Sequence, residues 1–175
     1  MPWKNGKGTT TEIFIYPENT KAQNNDFHFR LSSAPIESDS EFSIFPGKQR
    51  LLTTIKGAGF KLNNAVYEKF EVATFSGGEK TNCALLKGPV EDFGVIYDPN
   101  FFSVQSKILI LKSDFAFSLN ITNDYFFVVL DGVLRHENIL IGPLETLHYS
   151  QEASCKLKVN KSAVLFYLSA EKFPG

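Results

Sequence analysis

Phe27-His28-Phe29-Arg30-Leu31-Ser32 sets an apolar side chain at every second position, and a period of two predicts a β-strand with one buried face. Working outward, Phe115, Phe117, Leu119 and Ile121 alternate with Ala116, Ser118 and Asn120, and Leu157 and Val159 alternate with Lys156 and Lys158. Phe126 to Leu130 and Val164 to Leu168 are unbroken apolar runs, as expected of strands covered on both faces. Turn-forming residues separate these runs at Phe45-Pro46-Gly47, Gly57-Ala58-Gly59, Ser76-Gly77-Gly78, Asp98-Pro99-Asn100, Asp131-Gly132 and Gly142-Pro143. Short strands broken this regularly predict an all-β sandwich or barrel. Ile108 to Leu111 is too short to assign to strand or helix, Ala34 to Asp39 has room for one helical turn, and no long amphipathic helix is expected.

A weak internal repeat accompanies the strands. Arg50-Leu51-Leu52-Thr53-Thr54-Ile55-Lys56-Gly57 lies over Phe126-Phe127-Val128-Val129-Leu130-Asp131-Gly132, about 75 residues on. Each is an apolar strand closed by a charged residue and a glycine. The expectation is two similar β units, 1–100 and 101–175, packed into one compact body with strands exchanged between them. Asp98 to Ser106, rich in Phe and Val, would be the crossover rather than a flexible linker.

Bulk properties narrow the function classes. The 175 residues are 43% hydrophobic and include 17 Phe, enough for a sizeable core. At strand spacing these rings are read as core rather than as a protein-docking surface. A net charge of -1 argues against a nucleic-acid groove, which needs clustered Lys and Arg. No apolar run reaches the roughly 18 residues of a membrane span, and no leader pattern is visible, so a reducing cytoplasm is the expected address. Cys83 and Cys155 form no C-x-x-C pair and sit in apolar surroundings, which predicts buried, reduced thiols.

Chemistry is sparse. His28, His136 and His148 include no H-x-H pair, and none has an acid at ligand spacing, so neither a metal nor another cofactor is expected. There is no G-x-S-x-G elbow, and neither cysteine has a charged context that would activate it. Gly6-Lys7-Gly8-Thr9-Thr10 lacks the P-loop spacing and has no strand before it. Three polar segments remain: Trp3-Lys4-Asn5-Gly6-Lys7-Gly8-Thr9-Thr10-Thr11-Glu12, the turn Phe45 to Arg50, and Lys87-Gly88-Pro89-Val90-Glu91-Asp92-Phe93. The first offers donors to a polar or anionic group. The second places Arg50 at a strand entrance, where it can fork onto a carboxylate. The third sets two acids beside an aromatic, able to hold a cation or accept from a ligand N–H.

Taken in order, MPWKNGKGTTTEI, DFHFRLSSAPIESDSEFSIFPG, FPGKQRLLTTIKGAGFKL and CALLKGPVEDFGVI resemble the HutD/Ves family, closely over Met1 to Ile96 and thinly beyond. The motif positions fall at Trp3, Lys4, Asn5, Gly6, Gly8, Thr10, Glu12, Arg30, Pro46, Gly47, Arg50, Gly57, Gly59, Gly88, Pro89, Asp92 and Phe93. The resemblance implies a cupin-like double-stranded β-barrel, two units packed as a bicupin, without the metal-binding histidines of ordinary cupins. It also implies a bacterial accessory or regulatory protein linked to histidine utilisation, with the Ves branch described only as stress-related. Three departures stand out: Lys7 replaces a family glycine, Phe29 a tryptophan, and Gly94 the asparagine of a D-F-N motif. Relatives also carry residues ahead of the MPWKNG motif, so a first strand is expected to be missing or to lie upstream of Met1.

The function expected on this basis is a non-catalytic binding module whose pocket is lined by Trp3, Lys4, Asn5, Thr10, Glu12, Arg50, Asp92 and Phe93. Its partner would be a small carboxylate or formylated metabolite, with urocanate or a formylated amino acid fitting the pathway association. Nucleic acid and membrane are not expected as partners, and a homodimer is an open option. The alternative is a metal-independent isomerase or hydrolase in which Glu12 or Asp92 acts as base and Lys4 or Arg50 steadies an anion.

Overall fold

The computed structural model describes residues 9–151 and 153–173, with only the backbone of Asn160. The chain divides into two compact units, Met1–Asn100 and Phe101–Gly175. Unit 1 contains β1 (Thr11–Tyr16), β2 (Phe29–Ile36), β3 (Ser40–Glu41), β4 (Gln49–Lys56), β5 (Gly59–Leu62), β6 (Ala65–Glu68), β7 (Ala73–Ser76), β8 (Asn82–Leu85) and β9 (Val90–Tyr97). Unit 2 contains β10 (Phe102–Leu111), β11 (Phe115–Ser118), β12 (Asn123–His136), β13 (Ile139–Ile141), β14 (Thr146–Ser150) and β15 (Ser154–Lys172). The helix among the described residues is one 3-10 turn, Ala22–Asn24.

In unit 1, β1-β2-β9-β4-β7 form one sheet and β3-β8-β5-β6 the other. Ile36, Leu52, Ala73 and Val90 of the first sheet pack with Phe60, Leu62 and Cys83 of the second, so the two sheets face each other across an apolar core. A smaller cluster of Ala22, Phe27, Phe45 and Ile96 extends this interior toward the 3-10 turn. In unit 2, β10-β15-β12-β13 form a sheet, with β11 also pairing β15 and β14 also pairing β12. Among the described residues, each of the three sheets is built from strands of a single unit.

The alternating stretches are strands, but several expectations need correction. Ala34 to Asp39 makes no helical turn: Ala34, Pro35 and Ile36 continue β2 opposite Asp92, Glu91 and Val90. Pro35 lies past Ser33, the last β2 residue paired to β1, where a missing N–H is tolerated. Asp131-Gly132 is no break between strands but a bulged stretch inside β12, with register shifts on either side. Gly132 has φ +81°, and a Cβ there would strike the Ser162 carbonyl oxygen, so a glycine keeps the bulge closed. Gly57, its counterpart in the repeat, follows a register shift in β4 and has φ +93°.

The strand expected through Ile121 ends at Ser118, because the Asn120 side-chain oxygen accepts the Thr122 N–H and turns the chain. Ile121 is left 59% exposed. The connection after Asp98 is shorter than expected, since β10 already begins at Phe102. Ile108 to Leu111 belongs to that strand. Cys83 and Cys155 are buried and unpaired, and burial, reinforced by Asp92 and Asp39, pushes the Cys83 thiol up to about 12. Among the described residues no helix is long and apolar enough to cross a membrane.

Candidate functional site

The site lies within unit 1, on the face of the five-stranded sheet turned toward its partner sheet. Directly paired residues on neighbouring strands share a face. Along β2, β9 and β4 this gives three rows: Arg30–Ile96–Arg50, Ser32–Gly94–Leu52 and Ala34–Asp92–Thr54. All of these residues except Thr54 line a cavity of about 110 Å³. That is several times the roughly 10–15 Å³ needed for one water. Thr10 adds to the wall from the segment before β1, and Phe42, Ser43 and Phe45 from the segment after β3.

Arg50 dominates one end. Its guanidinium carbon sits 4.9 Å from the centre of the Phe42 ring, 5.0 Å from Phe75 and 5.6 Å from Phe45. Nη1 donates to the Ser43 carbonyl at 3.2 Å. Aromatic faces attract a cation without neutralising it. Among the described residues Arg50 forms no ion pair within 4.0 Å. Burial pushes its guanidinium down to about 10, with Asp92 acting in the opposite sense and Arg30 adding to the fall. It stays charged at neutral pH.

Asp92 lies at the far row and is 7% exposed. Its Oδ1 accepts the Ala34 N–H at 2.9 Å. Burial pushes this carboxyl up to about 7, against that hydrogen bond and the Arg50 and Arg30 charges, with Glu91 adding to the rise. Arg30 has a partner already: its Nε donates to Glu12 Oε2 at 2.9 Å from the adjoining β1. The cavity therefore holds one neutralised arginine, one arginine without an ion-pair partner among the described residues, and an acid poised between its two forms.

The expected site residues are brought together only in part. Thr10, Arg50 and Asp92 line the cavity. Glu12 is beside it, committed to Arg30. Phe93 is fully buried and alternates with Asp92 and Gly94 along β9, so it packs on the sheet's other face rather than in the cavity. Trp3, Lys4, Asn5 and Lys7 lie outside the described residues. The two acids Glu91 and Asp92 part company for the same reason of alternation. Glu91 pairs with Lys56 at 2.6 Å, while Asp92 enters the cavity.

Sequence reading missed Ser32, Phe42 and Gly94 as wall residues. The signal was present for Ser32, as the polar member of an alternating strand whose polar face is turned inward. It also missed the buried pair Lys48–Asp98, at 2.9 Å, in which Asn100 holds the second carboxylate oxygen through its backbone N–H at 3.0 Å. That network fixes the chain before β4 and after β9, and so positions Arg50. The histidines stand apart: His148 Nε2 is 2.9 Å from Asp124, His136 meets the Tyr149 hydroxyl at 3.0 Å, and His28 lies 3.8 Å from Asp98. Among the described residues no three His, Cys, Asp or Glu gather as metal ligands would.

The chain is similar to several known proteins. An uncharacterised 21.2 kDa protein in the hutC 3' region of Pseudomonas putida is 38% identical over 104 residues, 57% of this chain and 53% of that protein. Protein Ves of Escherichia fergusonii is 31% identical over 120 residues, 65% of this chain and 60% of its own length. The chain thus spans about half the length of the curated relatives it matches. Among solved structures, HutD from Pseudomonas fluorescens SBW25 superposes with a TM-score of 0.77 at 26% identity, covering 99% of this chain and 94% of that one. A cupin 2 conserved barrel domain protein from Leptotrichia buccalis superposes at 0.54 with 9% identity, covering 96% of this chain and 91% of that one. The fold is all-β and cupin-like, as the resemblance implied. The HutD family profile matches residues 1–167, and the chain belongs to the HutD family.

Proposed function

We propose that this protein is a non-catalytic binding module that holds a small carboxylate-bearing metabolite in the cavity of unit 1 and serves histidine utilisation in a regulatory role. The observation carrying this reading is Arg50, a charged guanidinium in the cavity wall with three aromatic neighbours, one backbone acceptor and no ion-pair partner among the described residues. Such a group favours an incoming carboxylate, which it can grip with two parallel N–H···O bonds. Arg30, already paired to Glu12, contributes shape and field rather than a second free charge. Thr10 and Ser32 supply hydroxyls for the ligand's polar atoms. The pathway assignment draws on the family and on the relative in the hutC 3' region. Urocanate and formylated amino acids are the ligand classes that fit it. Calorimetric titration with these acids and with their neutral amides tests the reading. Binding of an acid and not of its amide is the expected result; no heat from any acid at millimolar concentration sinks it.

One observation favours a second reading, a metal-independent isomerase or hydrolase. Asp92, pushed up to about 7, has the proton affinity of a general acid or base at neutral pH. Glu12 is less suited to that role, being held by Arg30. A turnover assay over the same metabolites separates the readings: product formation lost in both Asp92→Ala and Arg50→Ala, with folding retained, establishes the enzyme.

A further inference from the structure

Gly94 occupies the middle of the cavity floor, between Ser32 and Leu52 in its own cross-strand row and between Asp92 and Ile96 along its own strand. Its backbone does not require a glycine, because its φ lies outside the left-handed region where side chains are strained. A glycine inside a strand costs conformational entropy and contributes no packing, so its return here has to be space. A Cβ built at this position meets Leu52 Cδ1 at 3.3 Å and nothing else closer than the Leu51 carbonyl oxygen at 3.8 Å. The near contact is the end of a flexible side chain, so an added methyl group is absorbed by a small shift of Leu52 and otherwise stands in the cavity. Position 94 lies between the row holding Arg50 and the row holding Asp92. A ligand gripped by Arg50 must run across it to reach Asp92.

We infer that Gly94 is the specificity-determining residue of this cavity, setting the length of carbon chain it admits behind a carboxylate held at Arg50. This rests on the carboxylate-binding reading above. The probes are the linear acids formate, acetate, propionate, butyrate and pentanoate, titrated calorimetrically into the whole chain. In the wild type, affinity rises about 3- to 4-fold for each methylene that is buried, up to a limiting length. Gly94→Ala shortens that limit by at least one methylene, and Gly94→Val weakens the longer acids at least 10-fold, while formate changes by less than 2-fold in both. Leu52→Val, which trims the side chain that meets position 94, lengthens the limit with Gly94 intact, and this arm carries the test should the position-94 variants fail to fold. Folded variants whose length dependence matches the wild type overturn the inference. So does an unchanged limit in Leu52→Val. Failure of every acid to bind the wild type is a different result, and it overturns the carboxylate reading itself.

Discussion

Each unit packs its own aromatic rings against one another, but unit 1 also sets some of its rings around a charge. In unit 2, Phe117 lies 4.7 Å from Phe127 and stacks on Tyr167 at 5.8 Å, while Tyr149 meets Phe127 edge-on at 5.8 Å. Rings there fill the interior against one another. In unit 1, Phe42 stacks on Phe75 at 6.2 Å and Phe45 meets Phe27 edge-on at 5.8 Å, but Phe42, Phe45 and Phe75 also surround a guanidinium, and the space beside it stays open. A filled interior contributes stability through buried area and ring contacts. An interior walled by an arginine with no ion-pair partner among the described residues, and by a buried acid, gives some of that up for open space lined with polar groups. What the inward rows of a β scaffold carry thus decides whether its interior is filled or left open.

The largest expected effect is on the stability of unit 2. Phe127→Ala removes a fully buried ring from the unit 2 cluster and should cost about 3–5 kcal/mol, read as a lower denaturant midpoint. A midpoint within experimental scatter of the wild type would mean unit 2 is not held by its rings.

The next largest concerns Asp92 and has a defined pH dependence. The folded protein holds this proton up to about pH 7, whereas an unperturbed aspartate releases it near 3.8. The stability difference is therefore fully present in the folded state's favour below pH 4, is lost as pH rises to 7, and is level above that. Asp92→Asn keeps an acceptor for the Ala34 N–H but has no charge to bury. It should melt above the wild type at pH 8, with the gap closing toward pH 4; melting curves that stay parallel across this range contradict the assignment. For the same reason, wild-type affinity for a carboxylate should fall as pH passes 7, because a second negative charge then faces the ligand.

Smaller effects sharpen the picture. Glu12→Gln leaves Arg30 without its counter-charge and should lower stability by about 1 kcal/mol, since the pair is only partly shielded from water. It should also strengthen carboxylate binding, by giving the cavity a second free cation; weaker binding would show that Glu12 itself touches the ligand. Thr53→Val is expected to be the mildest change. The Thr53 hydroxyl is fully buried with no hydrogen-bond partner among the described residues, so removing it should leave the melting temperature unchanged or slightly higher.

Much of the fold could be read from period-two patterning, because burial is a local requirement that repeats along each strand. Phe29 to Ser32 and Val164 to Leu168 are strands for that reason, while Phe27 and His28, expected in the first of them, precede β2. What patterning could not supply is which face turns toward a cavity. Arg30 and Ser32 look like the solvent side of a strand, and only pairing with β1 and β9 makes them a wall. Gly132 was misread because a glycine needed for a bulge and one needed for a turn look alike in sequence. Arg50 and Asp92 were legible through their turn contexts. The neighbouring Phe93 was not, since a motif groups adjacent residues while a strand sends them to opposite faces.

The central claim is that Arg50 holds a carboxylate. Its most direct test is one side-by-side calorimetric titration of the wild type and Arg50→Gln with a carboxylate that binds the wild type. Affinity should fall about 10- to 100-fold in Arg50→Gln, the worth of a charge-assisted contact, with the melting temperature little changed. Equal affinity in the two proteins would contradict it.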